Sequence, residues 1–272
     1  DFALISQSAT LTTCIPFVHF FDGFRTSHEI NEVEIIDDEI IRSMVNSSEV
    51  SAHRRRALNP QHPVIRGTSQ NPDTFFQQRE SSNIYYAEAA DKVASTMQRF
   101  GLLTGRNYQP FEYVGHPHAE QVIVLMGSGV GPVEEAIEEL VSQGQKVGAI
   151  KVRLYRPFSR QHLLQTLPKS VQSIAVLDRT KEPGADGEPL YKDVITSLAG
   201  AANTDVWPRP MPRICGGRYG ISSKEFTPAM VQSVLAMLQG AVLKNSFTVG
   251  IHDDISHTSL DWDPSFVPTK VA

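Results

Sequence analysis

The sequence predicts an α/β protein whose larger part is a five-stranded, mostly parallel sheet with helices on both faces. Two observations carry this. From Glu120 onward, short apolar runs alternate with segments of helical spacing: Val122 to Met126 strand, Pro132 to Ser142 helix, Val147 to Leu154 strand, Ser159 to Leu167 helix, Ile174 to Leu177 strand. After the Glu182-Pro183-Gly184 turn the rhythm resumes, with a helix at Leu190 to Leu198, a strand at Met211 to Cys215, a helix at Thr227 to Leu238 and a strand at Phe247 to Ile251. Such alternation means βαβ units with right-handed crossovers. The second observation is that these strands are almost continuously apolar, as expected where both faces of a sheet are covered.

The first part of the chain is read separately. Residues 1 to 13 have loosely helical apolar spacing, and Ile15-Pro16-Phe17-Val18-His19-Phe20-Phe21 reads as a buried strand ended by Asp22-Gly23. Val33 to Ile36 is a second short strand candidate, followed by a helix with the acid-rich start Asp37-Asp38-Glu39. Asn59-Pro60, His62-Pro63, Gly67 and Asn71-Pro72 punctuate a loop, and one long helix is expected from about Asp73 to Phe100. Gly105, Pro110, Gly115 and Pro117 break any period between 104 and 118, which places a boundary there. The division is residues 1–110, residues 111–250, and a linker at 251–272.

Composition narrows the function classes. With 272 residues, 40% hydrophobic, the chain can bury one large core or two modest ones. A formal net charge of -5 gives no general basic field for nucleic acid. No apolar run is long enough to span a bilayer. Cys14 and Cys215 are far apart and in no metal-box spacing, so neither a disulfide framework nor a cluster-binding module is expected. The opening Asp1-Phe2-Ala3-Leu4-Ile5 reads as the middle of a helix, and the expectation is a piece of a longer polypeptide.

Three groups are candidate sites. Gly127-Ser128-Gly129-Val130-Gly131 lies between a strand and a helix, where backbone amides and the helix N-terminus suit a phosphate. The glycines fall as GxGxG, not GxGxxG, and the next strand ends in Arg153, Tyr155 and Arg156 instead of a ribose-binding acid, so a tight turn is the simpler reading. Arg179 and Lys181 follow a strand at its carboxyl end and suit an acidic group of a ligand or neighbouring domain; a salt-bridged loop is the alternative. His19, Asp22, Arg25, His28 and Glu29 form the densest cluster of ionisable residues and are candidates for interdomain contact or for gripping a carboxylate. His252, Asp253, Asp254 and His257 match no metal spacing and read as a loop. No catalytic residue and no metal ligand is assigned.

Four longer strings add a resemblance. Pro16 to Glu29 (PFVHFFDGFRTSHE), Arg54 to Pro60 (RRRALNP), Arg66 to Asp73 (RGTSQNPD) and Val176 to Ala185 (VLDRTKEPGA) resemble pyruvate:ferredoxin (flavodoxin) oxidoreductases. The resemblance implies that residues 1–110 are the end of a pyrimidine-binding thiamine diphosphate domain with its linker helix, and 111–250 a transketolase-C-terminal-like domain. It implies a parent enzyme that oxidatively decarboxylates pyruvate to acetyl-CoA and CO2. Thiamine diphosphate, Mg2+ and [4Fe-4S] clusters are the parent's cofactors, with none expected on this piece alone. The implied partners are other domains of the same polypeptide, coenzyme A, ferredoxin or flavodoxin, and a second subunit in a homodimer. Localisation would be cytoplasmic, or organellar in a eukaryote. The family's carboxylate for the aminopyrimidine and its pyruvate-holding Arg and Thr are expected upstream of Asp1. This piece is then a structural and interdomain element. The alternatives are a fused relative (pyruvate:NADP+ oxidoreductase or a sulfite-reductase-type subunit) and a stand-alone α/β module binding an anion at 127–131.

Overall fold

The computed structural model describes residues 1–204, 206, 207 and 209–269; the side chain of Arg25 lies outside the described residues. The chain forms two compact units, one from Asp1–Phe20 and Ile30–Pro110, the other from Phe21–Glu29 and Phe111–Ala272.

The elements preceding the sheet are helices: α1 (Phe2–Thr13), α2 (Arg25–His28), α3 (Asp38–Met44), α4 (Ser47–Arg55), α5 (Pro72–Glu80) and α6 (Asn83–Thr104). All but α2 belong to the first unit. Its core forms where α1 lies on α6 and α3, burying Ile5, Ala9 and Leu11 against Met44, Val93, Met97 and Phe100. Arg99 ties these helices together, its Nη2 donating to Ser8 Oγ and to the Met44 carbonyl, both at 2.6 Å. Gly105 ends α6 at φ +77°, a left-handed cap, with its N–H donating to the Gly101 carbonyl at 2.8 Å.

Three expectations for this region are corrected. The apolar run Ile15 to Phe21 is not a buried strand: only Ile15 is buried, while Val18, Phe20 and Phe21 are 83%, 67% and 65% exposed. Val33 to Ile36 is likewise irregular, with Val33 and Ile35 exposed. Hydrophobicity favours a strand only where a neighbour completes its hydrogen bonds, and within this unit the only described β-pairing is an isolated bridge between Asn59 and His62. The single helix expected from Asp73 to Phe100 is two, α5 and α6, broken at Ser81-Ser82. There the hydroxyls donate to the Gln78 and Arg79 carbonyls at 2.7 Å and compete with the helical ladder.

The second unit is the α/β layer. β1 (Phe111–Gly115), β2 (Gln121–Leu125), α7 (Val130–Ser142), β3 (Val147–Val152), α8 (Arg160–Thr166), β4 (Ser173–Asp178), α9 (Pro189–Ala202), β5 (Arg213–Arg218), α10 (Pro228–Gln239), β6 (Phe247–Val249) and β7 (Ser259–Leu260) follow in order. The sheet has seven strands, ordered β1-β3-β2-β4-β5-β6-β7, and all pair in parallel except β1 with β3. The five expected strands are present, and the count of five is corrected by two edge strands. β1 lies inside the stretch read as interruption, and its Glu112 side chain faces Lys151 at 3.0 Å, which disguises an edge strand as polar loop. β7 has only two residues, too few to show a period.

Alternate side chains of each strand go to opposite faces. Ile123, Leu125, Ala175 and Leu177 join α7 and α10 in one core; Val122, Val124, Ile174 and Val176 join α8 and α9 in the other. Because β2 leads into α7 on the first face and β4 into α9 on the second, the order reverses between β2 and β4. Their carboxyl ends therefore frame the switch-point crevice where open α/β sheets hold ligands.

The cysteines sit in opposite environments. Cys14 is exposed and Cys215 is fully buried, its thiol pushed up to about 12 by burial. A thiol-disulfide reagent at neutral pH should therefore titrate one equivalent in the native chain and the second only in denaturant. Rapid native reaction of both would contradict the sheet placement of Cys215.

Candidate functional site

The carboxyl edge of the sheet is built by the loops after β2, β4 and β5. Asp178 ends β4 opposite Arg218 of β5. The Asp178 carboxylate is 3% exposed and accepts the N–H groups of Leu190 and Tyr191 at 3.0 and 3.1 Å, so it caps the start of α9 from a neighbouring strand. Burial pushes its carboxyl above the ordinary range, and the two amides only partly oppose this. Glu188 is also buried. It lies 3.5 Å from Arg218 Nη1 and 3.6 Å from Lys181 Nζ, while Arg218 Nη2 donates to the Ser246 carbonyl at 2.8 Å.

On the other side of β4, Arg179 is fixed by two donations, from Nε to the Gly220 carbonyl at 2.8 Å and from Nη1 to Ser128 Oγ at 2.6 Å. Asp22 enters here. One carboxylate oxygen accepts the Ser128 N–H at 2.5 Å and lies 3.5 Å from Arg179 Nη1. The glycines of the turn answer to these neighbours. Gly127 has φ +80°, and a Cβ there would come within 2.6 Å of Asp22 Oδ2; a Cβ on Gly129 would meet the Tyr219 hydroxyl at 2.4 Å. The Tyr219 O–H donates to the Met126 carbonyl at 3.2 Å, and burial raises its pKa. Gly131 lies within α7, which begins at Val130 and not at Pro132 as the sequence suggested.

The structure thus brings Asp22, Gly127, Ser128, Gly129 and Arg179 to one place. Lys181 turns to Glu188 instead. His19 lies in the helical unit near the Phe2 ring, and exposed His28 places Nδ1 2.6 Å from the Phe24 carbonyl. Glu29 is exposed, and the side chain of Arg25 is outside the described residues. Asp178, Glu188, Arg218 and Tyr219 were not singled out from sequence, although Glu188-Pro189 is a helix-start signature.

The loop after β6 is closed on itself. Asp254 accepts the Ser256 hydroxyl at 2.7 Å and the N–H groups of Ser256 and Ser259 at 3.0 and 2.6 Å, which hold its carboxyl down to about 2. The His252 ring lies 4.3 Å from that of Trp262. Among the described residues no group of three or more His, Cys, Asp or Glu is placed to hold a metal. In the helical unit one carboxylate oxygen, Glu49 Oε2, is buried without a hydrogen-bond partner.

Fold and edge together define an open α/β unit whose ligand-side crevice is framed by the β2 and β4 loops, joined to a helical unit. Comparison with known proteins places this class. Residues 1–98 match the family model "Pyruvate flavodoxin/ferredoxin oxidoreductase, thiamine diP-bdg", and residues 119–219 match "Pyruvate:ferredoxin oxidoreductase core domain II". A probable pyruvate-flavodoxin oxidoreductase of Escherichia coli (strain K12) is 58% identical over 99% of the chain and 23% of its own length. A putative pyruvate-flavodoxin oxidoreductase of Synechocystis is 56% identical over 98% of the chain and 22% of its own length. A pyruvate:ferredoxin oxidoreductase of Moorella thermoacetica is 52% identical over 96% of the chain and 22% of its own length. Over the matched residues the chain belongs to the pyruvate:ferredoxin (flavodoxin) oxidoreductase family. It spans less than a quarter of the length of these three relatives.

Proposed function

We propose that this chain is a supporting part of an enzyme that oxidatively decarboxylates pyruvate to acetyl-CoA and CO2 and passes the electrons to ferredoxin or flavodoxin. The observation that carries the reading is identity of 58% to a pyruvate-flavodoxin oxidoreductase along 99% of the chain. In this reading, residues 1–110 are the end of the pyrimidine-binding thiamine domain with its linker helix. Residues 111–250 are the transketolase-C-terminal-like domain, and 251–272 lead to the next. Thiamine diphosphate with Mg2+, [4Fe-4S] clusters and coenzyme A are held elsewhere in the parent, which works as a homodimer in the cytoplasm or an organelle. No helix among the described residues is long and apolar enough to cross a membrane, which is compatible with either compartment.

Two measurements test this. Grafting the chain in place of the matching segment of the Escherichia coli relative should give an enzyme that reduces a viologen dye with pyruvate and coenzyme A. A chimera that folds and loads its cofactors yet lacks this activity would count against the assignment. The supporting role has its own test, since titrating the chain with thiamine diphosphate and Mg2+ in a calorimeter should show no tight binding.

A further inference from the structure

The chain passes between the two units three times, because Phe21–Glu29 belongs to the α/β unit while the residues on both sides of it belong to the helical unit. Within the α/β unit this nine-residue excursion enters the crevice between the carboxyl ends of β2 and β4 at its second residue, Asp22. Ligands of open α/β sheets sit in that position because backbone amides converge there. Here the incoming group is Asp22 of the same chain, 106 residues from the Ser128 amide that it meets at 2.5 Å. Arg179, anchored on Gly220 and Ser128, supplies the opposite charge at 3.5 Å. Gly127 leaves the space, since any Cβ would press on the Asp22 carboxylate.

We propose that the switch-point crevice is closed by the chain itself: Phe21–Glu29 is a strap, and Asp22 is the positioning residue that clasps it to the β2 and β4 loops. The clasp is a charge-assisted hydrogen bond backed by an ion pair, stronger than a neutral contact and sensitive to salt. It has few helpers. Phe21 and Phe24 on either side of Asp22 are 65% and 72% exposed, and α2 has four residues, so apolar burial contributes little to holding the strap. Releasing one carboxylate should free the whole segment.

The test uses the full 272-residue chain, with Asp22→Ala and Asp22→Asn variants. Amide exchange at Ser128 and chymotrypsin cleavage after Phe21 and Phe24 are the readouts. In Asp22→Ala the Ser128 amide should exchange about tenfold faster, the loss expected for one charge-assisted hydrogen bond. Cleavage in the strap should rise in parallel, while the amides of β2 and β4 keep their protection. Asp22→Asn, which retains an acceptor oxygen but no charge, should fall between. High salt should move the wild-type chain toward the Asn variant and leave the Ala variant unchanged, a response that simple packing would not give. An unchanged Ser128 exchange rate in Asp22→Ala, or strap cleavage as fast in wild type as in that variant, overturns the proposal.

Discussion

Replacing Phe247 with Ala should destabilise the α/β unit by about 3–5 kcal/mol, the range for removing a fully buried aromatic ring. Phe247 is 0% exposed and belongs to the core shared with α7 and α10. β6, which carries it, has only three residues and pairs at two positions with β5 and at two with β7, so with so short a ladder on each side the burial of Phe247 is a large part of what holds this strand. The ring lies over Gly217. A Cβ there would stand 2.2 Å from Cζ of Phe247, which explains a glycine in the interior of a strand where it is otherwise unfavourable. Gly217→Ala should therefore also destabilise, by about 1–3 kcal/mol through overpacking. Pairing it with Phe247→Leu should recover part of that loss, because the two positions share one space. Tryptophan fluorescence during urea unfolding is the measurement of choice, since both tryptophans, Trp207 and Trp262, lie in the α/β unit. Strictly additive effects of the two changes would mean that the ring does not occupy the space above Gly217.

The parallel strands were legible because burial on both faces writes itself into sequence: Val122 to Leu125 and Ile174 to Leu177 contain no polar residue to confuse the period. The same rule misled at Ile15 to Phe21. Apolar content there is nearly as high, with His19 the one ionisable residue, yet a strand is defined by its neighbours, and none pairs with this run among the described residues. β1 escaped notice for the converse reason. Its Glu112 pairs with Lys151 of β3, and a charged residue at a covered edge imitates a loop. At the crevice, local pattern drew attention to Gly127, Ser128 and Arg179. Their meeting with Asp22 is a contact across 106 residues that no local pattern encodes. Asp178 was hidden differently: its partners are backbone amides of Leu190 and Tyr191, and backbone amides carry no residue signature.

Asp178→Ala is the second large effect expected, about 2–4 kcal/mol, because it leaves two buried N–H groups at the start of α9 without an acceptor. Asp178→Asn should cost less, since its amide oxygen still serves one of the two. The pH dependence separates charge from capping. Burial raises the Asp178 carboxyl above its ordinary 3.8, so between that value and the raised one the folded chain holds a proton that the unfolded chain has released. Stability then falls as pH rises through this window: the contribution is fully present below the unfolded pKa and lost above the folded one. Removing the carboxyl should abolish this downward component, so the gap between wild type and Asp178→Asn should widen as pH falls through the window. Unfolding curves of both proteins across the acid range, followed by tryptophan fluorescence, measure it directly. A gap that instead widens with rising pH would show that the two amides of α9 outweigh burial and hold the carboxylate charged.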